Sequence, residues 1–206
     1  MSGKKSLLFS LMAIAIICTA SVKTSKADTV SFTIGNSPQN NEENILLNTG
    51  TTGGTVFGTT NQSNITVQFT SNTDSLAEPA DGQARVAPTV GVLHNITISI
   101  PGGSFEDLIL NPRFGSGTAT VTAVSTTNVI STFSYDLSNG QNFLTIVDTN
   151  GSLSSVTISA PGGFTDLQQP RISGAQLNTT AVPEPATLFL LGSGLLGLGS
   201  TLRKKR

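Results

Sequence analysis

Between residues 28 and 182 the chain offers little reactive chemistry: one histidine, His94, no cysteine, no lysine, and eleven carboxylates against Arg85, Arg113 and Arg171. A serine nucleophile needs a positioned base, and no serine here stands in a G-x-S-x-G elbow or an S-x-x-K pattern. His94 shares the parity of Val92 and Ile96, which predicts a place at the edge of a buried face rather than in a site. Catalytic residues are therefore expected to be none. A glycosidase would need two carboxylates at a defined separation, which eleven acids could supply in many ways. Sugar sites also favour flat aromatic platforms, yet this region has no tryptophan and one tyrosine, Tyr135. Its eight phenylalanines fall mostly on inward parities, as core.

The eleven acids and three arginines leave a net charge of −8, which argues against nucleic acid or anionic lipid as a partner. Solubility alone explains such a surface, and affinity for divalent cations is the sharper alternative. Asp148-Thr-Asn-Gly151 matches the opening of a calcium loop but lacks its downstream glutamate, so a hairpin turn is the expectation there. A calcium site would draw on acids at loop ends: Asp74, Glu78, Asp81, Asp148 and Asp166. No other metal or cofactor is expected. Asn64, Asn95 and Asn178 open glycosylation sequons, a short pattern that carries little weight by itself.

The termini are more informative. Lys4 and Lys5, the apolar run Leu7 to Ile17, and Ser25-Lys26-Ala27 form a secretory signal, predicting a signal helix over residues 1–27 and cleavage between Ala27 and Asp28 by the Sec export route. The only cysteine, Cys18, falls inside it, so the exported domain has no disulfide or thiol chemistry. At the other end, Val182-Pro183-Glu184-Pro185 precedes an apolar run from Ala186 to Leu202, and Arg203-Lys204-Lys205-Arg206 closes the chain. Seventeen residues at about 1.5 Å each give a helix of roughly 25 Å, slightly short of a bilayer core of about 30 Å. The four basic residues should stay cytoplasmic, which places everything before Pro183 outside. Pro183 and Pro185 disfavour helix and keep the backbone extended at the membrane surface.

This order of motif, short span and basic cluster over residues 182–206 resembles the PEP-CTERM sorting signal of Gram-negative bacteria. The resemblance implies an exosortase substrate, held transiently in the inner membrane and then released or transferred to the cell surface. A permanent single-span anchor is the alternative reading of the same residues.

The domain between the signals must be built from strands, because threonine, serine, valine, isoleucine, glycine and asparagine dominate it and helix formers are scarce. Val30, Phe32 and Ile34 alternate on one face, as do Ile65, Val67 and Phe69. Residues 35–54 are expected to be a polar loop. Two related units follow, about 82–113 and 140–171. Each has an alternating strand (Ile96, Ile98, Ile100; Val156, Ile158, Ala160), a proline stop at Pro101 or Pro161, two glycines for a reversal, and an inward Phe105 or Phe164. Residues 118–124 and 130–137 alternate as further strands, and 142–148, apolar on both faces, should be central. Nine to eleven short strands without a helix predict an all-β, jelly-roll-like β-sandwich over residues 28–181. Domains of this type resemble those that precede many PEP-CTERM signals. The expected role is a non-enzymatic surface or extracellular-matrix protein; a carbohydrate-binding or adhesive module of exopolysaccharide or biofilm is the alternative, and an extracellular hydrolase the third.

Overall fold

The computed structural model describes residues 28–47, 49–78 and 84–178. The predicted signal helix and the predicted transmembrane helix, with the sorting motif and basic cluster, lie outside the described residues. Among the described residues there is no helix.

The strands run in chain order as β1 (Val30–Ile34), β2 (Glu43–Leu46), β3 (Thr52–Gly53), β4 (Thr55–Thr60), β5 (Thr66–Thr70), β6 (Leu76–Ala77), β7 (Arg85–Pro88) and β8 (Leu93–Ser99). They continue as β9 (Gly103–Ser104), β10 (Asp107–Arg113), β11 (Thr118–Ser125), β12 (Ile130–Asp136), β13 (Leu144–Asp148), β14 (Leu153–Phe164), β15 (Asp166–Ser173) and β16 (Gln176–Leu177). One sheet has the order β1-β13-β10-β15, with β7 and β2 on the far side of β15; the other runs β2-β4-β5-β8-β14-β11-β12, all neighbours antiparallel. The inner faces meet in a core that includes Phe69, Phe105 and Phe164, all fully buried. The two sheets form a β-sandwich.

Residues 35–54 are not simply a loop, because they hold β2 and β3. Glu43 and Asn44 pair with Ile172 and Arg171 of β15, while Ile45 and Leu46 pair with Thr60 and Thr59 of β4. One short strand thus leaves one sheet and joins the other. Gly58 permits this, since a Cβ there would lie 2.6 Å from Ile45 Cγ2 and 3.0 Å from the Leu46 carbonyl oxygen. Glu43 is buried; burial pushes its carboxyl up, and bonds from the Ser63 and Gln62 N–H groups and the Ser63 hydroxyl outweigh this and hold it below the usual range.

The related segments occupy reciprocal places. β8 pairs with β14 in one sheet and β10 with β15 in the other; β7 lies against β15 as β13 lies against β10. Each segment therefore crosses from sheet to sheet, rather than forming a hairpin within one sheet. Pro101 does end its strand's pairing, but β14 continues through Pro161 to Phe164. The register of β14 against β8 shifts between Ser159 and Phe164, so Pro161 sits where no ladder N–H is required.

Two side chains are not buried where alternation predicts. Ile34 is 65% exposed, because β1 is the edge strand and its end runs past the core that half-buries Val30 and Phe32. Leu93 and Ile96 are both buried, leaving two residues between them at the same irregularity, so His94 turns outward instead of joining the buried face. β13, flanked by β1 and β10, has Leu144, Thr145 and Ile146 all buried. Residues 35–37 lie over its outer side: the Thr145 hydroxyl donates to the Gly35 carbonyl and accepts from the Ser37 N–H.

Candidate functional site

The acids named as calcium candidates are dispersed by the fold. Asp74 Oδ2 accepts the N–H groups of His94 at 2.8 Å and Asn95 at 3.3 Å and the Thr73 hydroxyl at 2.7 Å, while Oδ1 faces His94 Nδ1 at 3.0 Å. Burial pushes the Asp74 carboxyl up, but these bonds, led by the His94 ring, prevail and hold it at about 2. The pair fastens the 71–75 turn to the start of β8. Glu78, buried, accepts from the Thr49 N–H and hydroxyl, the Thr51 hydroxyl and the Phe57 N–H, so it organises a loop. Asp166 is paired with Arg85 Nε at 2.9 Å. Asp81 lies outside the described residues. Among the described residues no three His, Cys, Asp or Glu side chains come together as a metal-holding group.

Asp148-Thr-Asn-Gly151 is not a hairpin turn. β13 belongs to one sheet and β14 to the other, so these residues carry the chain across the end of the sandwich. Asp107, also buried, accepts the Ser173 hydroxyl across the β10·β15 pair. Tyr135 is buried with its O–H toward the Asn142 carbonyl at 3.4 Å, so its ring is not an exposed platform; burial pushes its hydroxyl further above the ordinary range.

What the fold does assemble is a hydroxyl-bearing face on the second sheet. Residue pairing aligns Thr132, Thr122, Thr157, Thr97, Thr70 and Thr55 in one rung across β12, β11, β14, β8, β5 and β4. Neighbouring strands are spaced about 4.8 Å apart, so the rung presents a threonine at each strand step. Thr97 and Thr157 share a hydrogen bond at 2.8 Å at its centre, and Thr55 and Thr70 share one at 3.4 Å. A second rung runs Ser134, Thr120, Ser159 and Asn95. On the other side lie Ile130, Val124, Ser155, Ser99, Gln68 and Phe57, the last 45% exposed. Across these three rungs the face carries no charged side chain, in a domain otherwise rich in acids. The signal for it in the sequence is threonine at alternate positions, as in residues 118–122; only the register aligns them between strands.

The fold therefore defines an all-β protein of the two-sheet sandwich class. Residues 181–205 match the PEP-CTERM protein-sorting motif, so the chain carries that sorting signal in its C-terminal region. The signal implies export, membrane anchoring before processing, and exosortase as the processing partner. No curated protein matches the chain. Among solved structures, the chain is similar to a variant of the carbohydrate-binding module CBM29-2, at 12% identity and a TM-score of 0.32, over 77% of this chain and 100% of that one. Another CBM29-2 variant, complexed with mannohexaose, has 13% identity and a TM-score of 0.29 over 73% and 91% of the two chains. At that level no ligand is carried over from either.

Proposed function

We propose that this chain is a non-enzymatic cell-surface or extracellular-matrix protein, whose jelly-roll-like β-sandwich is exported by Sec, freed of its signal between Ala27 and Asp28, and sorted by exosortase. The observation that supports it is the sorting motif at residues 181–205. Val182-Pro183-Glu184-Pro185 is then the segment presented to the enzyme, and Arg203-Lys204-Lys205-Arg206 holds the chain in the inner membrane until it is cut. The test is to locate the tagged protein in cells with and without exosortase. Surface or extracellular protein in the first and inner-membrane retention in the second is expected; identical distribution in both would overturn the reading.

A second reading, binding of matrix polysaccharide, is favoured by the threonine rungs. A neutral polymer lying across the strands would meet one hydroxyl side chain per strand and the exposed Phe57 ring near one end. Charge does not repel such a ligand, as it would an anionic one. Retention of the chain by the producer's own exopolysaccharide, lost on Thr97→Lys with Thr157→Lys, is the expected result. Equal retention of the substituted chain would refute this use of the face.

A further inference from the structure

We infer that the end of the sandwich where the mature chain begins holds a calcium ion between Asp28 and Asp148. Asp148 stands at the end of β13 with 4% of its surface exposed, and its Oδ2 has no hydrogen-bond partner. Its Oδ1 faces the Asn150 N–H at 3.4 Å. Asp28, just before β1, is held by the Thr127 hydroxyl on its Oδ2. The two remaining oxygens converge over Gly151. A Cβ at that residue would lie 2.5 Å from Asp28 Oδ1 and 2.9 Å from Asp148 Oδ2, so glycine keeps the space between the carboxylates open. Two oxygens that close to one point are separated by no more than about the span of two calcium–oxygen bonds of about 2.3–2.6 Å, so one ion can reach both.

A buried, unpartnered carboxylate oxygen beside a second carboxylate is stabilised by a proton or by a nearby positive charge. No side chain of residues 28–182 provides that charge, and the α-ammonium that cleavage before Asp28 would free is the competing cation. There is no lysine between residues 28 and 182, Arg85 is paired with Asp166, Arg171 with Glu42, and Arg113 lies over the Phe114 ring at 4.4 Å. An oxygen-only pair in an irregular connection suits calcium, which accepts variable geometry and completes its shell with carbonyls and water, better than magnesium with its octahedral demand. The ion would tie three segments together: the first residue of the exported domain, the β11–β12 loop through Thr127, and the crossing between sheets at 148–151.

The experiment is thermal unfolding of the full chain in detergent, in chelator, in about 10 mM calcium and in equal magnesium, with calorimetric titration by calcium chloride. Extracellular modules bind calcium with dissociation constants of about 10⁻⁴–10⁻³ M, so the melting temperature should rise by roughly 3–10 °C in calcium and less in magnesium. Asp148→Asn and Asp28→Asn should each abolish the rise and the titration heat. If Asp148→Asn does not fold, Asp28→Asn decides alone, because Asp28 is more exposed. Identical melting in chelator and calcium, or an undiminished calcium response in the variants, would overturn the assignment.

Discussion

Replacing Asp107 by asparagine should stabilise the domain near neutral pH and do much less in acid. Asp107 is 2% exposed, its Oδ1 has no hydrogen-bond partner, and Glu42 and Glu106 are close enough to repel its charge. Burial pushes the carboxyl up to about 6 from an ordinary 3.8, with the bond from Ser173 opposing and the two glutamates adding to the rise. A folded-state value above the unfolded one means that stability is fully present below pH 3.8 and is lost as pH rises toward 6. At 1.36 kcal/mol per unit, the loss is about 3 kcal/mol once the group is ionised in both states. Asparagine keeps the shape and an acceptor for Ser173 and carries no charge. The stability difference between variant and parent should therefore shift by about 2–3 kcal/mol in favour of the variant from pH 4 to pH 7.5. Urea unfolding at a series of pH values measures it, and taking the difference cancels the other carboxylates. A difference that does not change with pH would refute the reasoning.

Asp74→Ala should cost about 1–3 kcal/mol at neutral pH, because the N–H groups of His94 and Asn95 lose their acceptor. Since the Asp74 carboxyl is held at about 2, below its unfolded value, that contribution is present above pH 3.8 and should fade as pH falls through 2; the same urea series reads it. Gly58→Ala should destabilise by about 1–3 kcal/mol in urea unfolding, since the Ile45 side chain can shift but the Leu46 carbonyl cannot. Glu184→Ala should slow removal of the tail while keeping the anchor, whereas deletion of residues 186–206 should release unprocessed protein. Mass spectrometry of the surface-exposed protein checks this: intact peptides through Leu196 to Leu202 would mark a permanent anchor.

The strands with clean alternation were legible in the sequence because a period of two assigns each side chain a face without reference to any partner. Ile65, Val67 and Phe69, the pair Phe105 and Phe164, and the threonines of residues 118–122 all follow from that local rule. The sorting signal was legible too, because it is a linear motif of contiguous residues and needs no fold to assemble it. Pairing is a long-range property, and what depends on it was decided only by the tertiary structure. β2 lies in a polar stretch and is a strand because β15 and β4 each offer it an edge. Ile34 obeys the alternation and is still exposed, since the core stops short of it. His94 leaves the predicted face through an irregularity set by Phe164 of a distant strand. The threonine rung needs six strands in register, and the meeting of Asp28 with Asp148 needs β1 paired to the strand that ends in Asp148. No local pattern encodes either, because both are made of residues brought together only when the sheets close.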